Sequence, residues 1–237
     1  MPNRARVICV EPHWVGRSDC VNCKLRSSMP FAVLQQEDLH GMLQPINNFR
    51  AEVGAMIVAA HGSASSIYTI RRGYVKLQQD LPSGRHRIVR LLGSGEVIGL
   101  EALREHRYRH AALALTEVDL CEIPISVVEQ MQARRPELHA ILQGRWEVSL
   151  SQADQLILSL LSGEATTRVA RLLMLLGDMA QGAPPPRMTR QDMAAILDIS
   201  PETASRVCSQ LLLRGWLHES SASFEIDRAQ LQRLAAE

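Results

Sequence analysis

No stretch of the 237-residue chain approaches the roughly 18 uninterrupted apolar residues that a membrane-crossing helix requires. The opening MPNRARVICVEPHW is charged and has no apolar core of the kind an export signal carries, so a cytoplasmic protein is expected. No sign of charge dominates: the formal net charge is +1, and any nucleic-acid surface must come from local placement of charge. The patterns of catalysis are also missing. His61, His86, His106 and His110 are scattered and fit no His-x-His metal pattern. There is no Ser-His-Asp cue, no glycine-rich phosphate loop and no paired catalytic carboxylates. No enzyme is expected, and a cupin-type metalloenzyme would leave the C-terminal third unexplained. Five cysteines in a cytoplasmic chain read as thiols or metal ligands before they read as disulfides.

What is present falls into parts. Residues 1–30 show no period and hold Cys9, Cys20 and Cys23; PFAVLQQEDLHGMLQPI then suits a short helix. From about Ile46 to Ile125, β-rich runs (AMIVAA, SIYTI, GYVKLQQD, HRIVRLL, EVIGLEAL, AALALTEVDLCEIP) alternate with glycines. Short strands at such even spacing predict an antiparallel sandwich or barrel, with LPSGR as a hairpin turn. Leu138, Leu142, Trp146, Leu150, Ala153, Ile157 and Leu160 then recur at steps of three or four. An apolar stripe that long needs a partner along its length. A parallel homodimer seam supplies one, with Leu142, Trp146, Leu150, Asp154 and Ile157 along it; burial within one chain is the alternative. The partition is 1–30, a Cys-containing segment; 31–130, a β-rich sensor domain; 131–162, a long helix; and 163–237, a helical domain after which GWLHESSASFEI forms a hairpin.

Within the last part, Thr189 can cap a helix beginning Arg190-Gln191-Asp192, and an acid three residues on approximates a capping box. Asp198-Ile199 is a tight connection. Ser200 suits an N-cap, and Pro201 suits the first helical position because its missing N–H would lack an intrahelical partner there anyway. Two short helices, a tight turn and a hairpin make a winged helix-turn-helix, whose expected partner is double-stranded DNA. On the second helix Glu202, Ser205 and Arg206 share one face. Arg206 suits guanine O6 and N7, Glu202 suits cytosine N4, and Ser205 serves either. Arg187, Thr189, Arg190, Thr203 and Arg214 are candidate phosphate contacts, which set register without reading sequence.

IYTIRRGYVKL, GSGEVIGLEAL, CEIP and ISPETASRV are the stretches by which the chain, from about Cys20 onward, resembles the Crp/Fnr family of bacterial transcription regulators. The resemblance implies an α+β fold: an N-terminal cyclic-nucleotide-type β-roll, a long dimerisation helix and a C-terminal winged helix-turn-helix. It also implies RNA polymerase as a partner. Glu202, Ser205 and Arg206 look like the Fnr-type signature E-x-x-S-R, which implies a palindrome of the TTGAT-N4-ATCAA kind. Crp-type members usually carry Arg where this chain has Pro201 and Gly where it has Ser205, so a strictly Crp-type site is not expected.

The family also frames the input. Cyclic AMP-binding members carry a cassette of the form G-E-L…R-S-A. Here Leu100 stands at the Glu and His110 or Ala111 near the Arg-Ser pair, so cyclic AMP is not expected; a shifted register would recruit Glu101 and Arg109. Cys20-x-x-Cys23 and Cys121 resemble the ligands of the Fnr cluster. The third N-terminal cysteine of the family spacing is absent, with Ser28 or Met29 in its place, and Cys9 would have to supply the fourth thiolate of a [4Fe–4S] cluster. Zinc suits the same thiolates. A thiol switch, haem, NO or another small effector are the metal-free and non-cluster alternatives. Were a cluster present, its oxidative loss would shift the monomer–dimer balance, with Asp154 facing its symmetry mate. Cys208, in the second helix, reads as packing.

Overall fold

The computed structural model describes residues 12–23, 31–35, 37–38 and 44–236. The chain divides into two compact units. The first runs up to Val75 and resumes over Ser94–Leu138; the second joins Lys76–Gly93 to the chain from His139 onward.

The first unit is built on β-branched and aliphatic residues that alternate with polar ones. One sheet runs in the order β1 (His13–Arg17), β2 (Asn47–Ala51), β9 (Val118–Pro124), β4 (Ser66–Arg72), β7 (Val97–Ile98). Every pairing in it is antiparallel. The register sets Ile67 against Ile123 and Ile70 against Leu120, and all four side chains are buried. Strands β3 (Met56–Val58) and β8 (Ala111–Ala114) pair antiparallel beside it. These are the layers of a β-roll. Gly99 shows why glycine sits where it does. Its φ is +82°, and an added Cβ would lie 2.7 Å from the ring of Tyr108, whose hydroxyl donates to Ser66 O at 2.8 Å. A short helix α1 (Ala102–Glu105) follows, and α2 (Ile125–Arg134) buries Ile125, Val127, Val128 and Met131. Strand β1 lies in the stretch read as without period and has no counterpart in the sequence reading; β2 falls at the start of the β-rich region but in none of the quoted runs. Of PFAVLQQEDLHGMLQPI, where a helix is expected, residues 31–33 form a turn and 37–38 are helical, while 30, 36 and 39–43 lie outside the described residues, as does Cys9.

The second unit begins with strands β5 (Val75–Asp80) and β6 (His86–Leu92), which are neighbours in their sheet. Their turn closes through Leu81 N–H to Arg85 O at 2.7 Å, with Gly84 at φ +78°. After Pro136 comes the long helix α3 (Glu137–Leu160), whose 24 residues span about 36 Å at 1.5 Å per residue. The expected stripe divides along it. Leu142 and Leu160 are buried, whereas Trp146, Leu150 and Ile157 stand 44%, 65% and 58% exposed, and Asp154 is exposed too. Helix α4 (Ala165–Met179) buries Val169, Ala170, Leu172, Leu173 and Leu176 and packs on α7 (Arg228–Ala235). Between them lie α5 (Arg190–Leu197), α6 (Pro201–Leu213) and the antiparallel hairpin β10 (Leu217–Glu219) and β11 (Phe224–Ile226). The architecture is α+β: a β-roll, a long helix and a helix-turn-helix with a wing. No helix among the described residues is long and apolar enough to cross a membrane.

Candidate nucleic-acid interface

Helix α5 starts where Thr189 Oγ1 accepts the Asp192 N–H at 3.0 Å. Only this half of the capping box is seen, because the Asp192 carboxylate is turned to Lys76, whose Nζ donates to Asp192 Oδ1 at 2.5 Å. The helix ends on Asp198 in the left-handed region (φ 54°), a conformation that Asp tolerates better than most residues. Ser200 then caps α6 by accepting the Thr203 N–H at 3.1 Å, with Pro201 in the first turn. Arg168 supports the turn from below, donating to Leu197 O at 3.2 Å.

Helix α6 is amphipathic in the sense the function needs. Ala204, Val207, Cys208 and Leu211 are buried, while Glu202, Ser205 and Arg206 are exposed together near its N-terminal end. Their faces are unobstructed by the unit they belong to, which is how a recognition helix enters a major groove. The Glu202 carboxyl is held below the usual range. Its own backbone N–H stabilises the anion most, and the Ser200 hydroxyl adds to this. A glutamate is ionised at neutral pH with or without this shift and offers acceptors only, which suits a contact to cytosine N4.

The phosphate candidates are less uniform. Thr189 and Thr203 are tied to the caps. Arg190 is ion-paired with Glu219 of the wing, and Arg187 reaches the same carboxylate at 4.0 Å. Arg214 is exposed with its guanidinium 4.8 Å over the Trp216 ring. Glu219 thus gathers two arginines beside the wing, a role that sequence spacing does not announce. The wing turn adds hydroxyls: Ser220 Oγ and Ser223 Oγ lie 2.9 Å apart on an exposed loop.

Cys208 is fully buried with Sγ 3.8 Å from Met193 Sδ, and burial pushes its thiol up to about 11. A neutral thiol packed this way is inert. Native protein is expected to leave Cys208 unlabelled by a thiol reagent at pH 8 and to label it fully in denaturant. Cys208→Ser is expected to destabilise by about 1–3 kcal/mol in a urea melt, since its hydroxyl would be buried without a partner. Labelling of native Cys208 as fast as a free thiol would contradict this placement.

In the first unit Ser18 N–H donates to Ile46 O at 2.8 Å, which sets the segment after β1 beside β2 and β9. Ser18 Oγ lies 3.7 Å from Cys121 Sγ, which lies 3.5 Å from Asn48 Oδ1. Burial raises the Cys121 pKa, Ser18 and Arg71 oppose that, and the nearby Cys23 adds to it. Cys23 lies on the segment whose Ser18 touches Cys121, and Cys20 and Cys23 are both half-buried. Yet among the described residues no three His, Cys, Asp or Glu side chains are grouped so as to hold a metal. Cys9, the fourth thiolate of the expected [4Fe–4S] set, lies outside the described residues.

The cyclic-phosphate cassette is likewise incomplete. Leu100 is buried at the position of the acid. Glu101 accepts the Arg109 backbone N–H at 3.1 Å, but the Arg109 guanidinium turns outward to Glu105 at the surface. The shifted pair does not present a buried arginine to a phosphate.

Residues 49–135 match the cyclic nucleotide-binding domain family, and residues 167–234 match the Crp-like helix-turn-helix domain. The chain is 26% identical over 239 residues to the nitrogen fixation regulation protein FixK of Bradyrhizobium diazoefficiens, covering 97% of this chain and 98% of that protein. It is 29% identical over 199 residues to a probable transcriptional activator of Rhizobium leguminosarum bv. viciae, covering 81% and 82%. Among solved structures, FixK2 from Bradyrhizobium japonicum superposes with a TM-score of 0.69 at 26% identity, over 81% of this chain and 98% of that one.

Proposed function

The chain belongs to the Crp/Fnr family of DNA-binding transcription regulators, and from that premise we propose that it is a cytoplasmic homodimer reading a TTGAT-N4-ATCAA-like palindrome under redox control. It is a regulator and not an enzyme. The observation that carries the reading is the exposed triad Glu202, Ser205 and Arg206 on a capped α6. Two such helices, one per protomer, match the two half-sites of a palindrome. The exposed Trp146, Leu150 and Ile157 of α3 support the dimer. RNA polymerase is the proposed downstream partner.

The redox input is proposed to act at the thiols Cys20, Cys23 and Cys121, because the segment bearing the first two is laid against the strand bearing the third. A metal-free thiol sensor agrees with the described residues. A [4Fe–4S] cluster on Cys9, Cys20, Cys23 and Cys121 is the second reading, favoured by the contact of Ser18, on the segment that bears Cys20 and Cys23, with Cys121. Cyclic AMP is not proposed.

Fluorescence anisotropy with a labelled duplex tests the DNA reading. Purified protein is expected to bind the palindrome at least about 10³-fold more tightly than a scrambled duplex at the same salt. Equal affinity for the two duplexes defeats it. Iron and acid-labile sulfide assayed after anaerobic purification separate the two inputs: iron-free protein that still binds the palindrome removes the cluster.

A further inference from the structure

The hairpin of β5 and β6 is separated from the helix-turn-helix by about a hundred residues of sequence, yet it belongs to the same compact unit. Strand β6 packs directly on α5. Two ion pairs fasten it there. The chain holds only two lysines, Lys24 and Lys76. Lys76 of β5 is nearly buried, 13% exposed, against an Asp192 carboxylate that is 7% exposed. Arg87 of β6 pairs with Asp198, the residue that closes α5. The contacts thus fall at both ends of α5. The second lies two residues before Ser200, the cap from which α6 begins.

None of this covers the reading face, since Glu202, Ser205 and Arg206 remain exposed. The hairpin grips the back of the motif. A buried ion pair gives little net stability because desolvation offsets most of the attraction, but it fixes orientation: each charge is satisfied only when both are in place. An apolar contact at the same spot would tolerate sliding; this one does not.

We propose that Lys76 and Arg87 are positioning residues for DNA reading: the hairpin holds α5 and the turn so that α6 presents its face to the groove. The contact also gives movements of the hairpin a route to the reader. The proposal rests on the operator reading above.

The test is operator affinity of the full chain by anisotropy, with thermal stability measured beside it. Lys76→Gln and Arg87→Gln are each expected to weaken palindrome binding by about tenfold, within the usual range of coupling between sites, and to leave scrambled-duplex binding unchanged. The charge-swapped pair Lys76→Asp with Asp192→Lys is expected to recover most of the loss. The salt dependence of binding is expected to keep its slope; a fall of about two, one phosphate contact per protomer, would make the residue a phosphate contact and overturn the proposal. Arg87→Gln alters a pair that is partly solvent-exposed, so it keeps the test open should Lys76→Gln fold poorly. Unchanged or tightened palindrome binding by Arg87→Gln, or a Lys76→Gln loss that the swap does not restore, overturns the proposal. Wild-type protein that does not prefer the palindrome defeats the operator reading instead.

Discussion

Arg206→Ala is expected to cut sequence selection at least about 30-fold while leaving sequence-independent binding in place. The side chain stands exposed on α6, beside Glu202 and Ser205, with the helix behind it fixed by the buried Ala204, Val207 and Leu211. Its guanidinium offers the planar fork that matches O6 and N7 of guanine. One such contact is worth about 1–3 kcal/mol of discrimination. A dimer makes it twice, so about 2–6 kcal/mol is at stake, or roughly 30- to 10⁴-fold in the ratio of operator to scrambled affinity. Scrambled-duplex binding depends on phosphate contacts, to which Arg206 is not assigned, and is expected to change less than threefold or so. Arg206→Lys is expected to recover little, since an ammonium lacks the fork. Anisotropy against both duplexes at one salt concentration reads the ratio. An Arg206→Ala protein that keeps the wild-type ratio would remove Arg206 from the reading face. The companion change, Glu202→Gln, is expected to relax selection at the position Glu202 reads and nowhere else, because the amide keeps an acceptor but adds a donor.

The local parts of this site were legible because they obey local rules. Thr189, Ser200 and Pro201 announce helix starts through the hydrogen bonds a helix terminus lacks, and the structure shows Thr189 and Ser200 making them. The spacing of Ala204, Val207, Leu211 and Leu212 predicts a buried face; the first three are buried, while Leu212 stands exposed. What was not legible depends on residues far apart in sequence. Asp192 reads as the second half of a capping box, but its carboxylate meets Lys76, 116 residues away. Arg190 reads as a candidate phosphate contact, and its ion pair with Glu219 of the wing is not announced by spacing. Periodicity placed Leu142 and Leu150 on one stripe without saying what covers each; the chain itself covers Leu142 and leaves Leu150 open. Strands β1 and β2 carry no alternation: β1, at the sheet edge, is mostly exposed, and β2, beside it, is mostly half-buried along its length. The grouping of the hairpin with the helix-turn-helix is a tertiary fact, invisible to any window of sequence.

Leu150→Asp is expected to convert the protein to monomers at micromolar concentration and to remove cooperative engagement of the two half-sites. Trp146, Leu150 and Ile157 lie within about 40° of one another around α3 at 100° per residue. All three are exposed in the single chain while Leu142, at the edge of the same arc, is buried. Full burial of a leucine or isoleucine contributes about 1.5–3 kcal/mol. Leu150 is 65% exposed, so covering it in both protomers contributes about 2–4 kcal/mol, or roughly 30- to 1,000-fold in dimer affinity. A carboxylate in its place removes that term and sets two like charges in the seam. The operator then sees one reading helix at a time, so the gain from linking two half-sites is lost. Asp154 sharpens the argument from the other side. It lies about 80° round from Trp146, at the rim of the same arc, and is exposed. Near its symmetry mate its charge opposes association, so Asp154→Ala is expected to tighten the dimer as Leu150→Asp dissolves it. Analytical ultracentrifugation over a dilution series reads both. A Leu150→Asp protein that stays dimeric, or an Asp154→Ala protein that dissociates more readily than wild type, would move the seam off this face of α3.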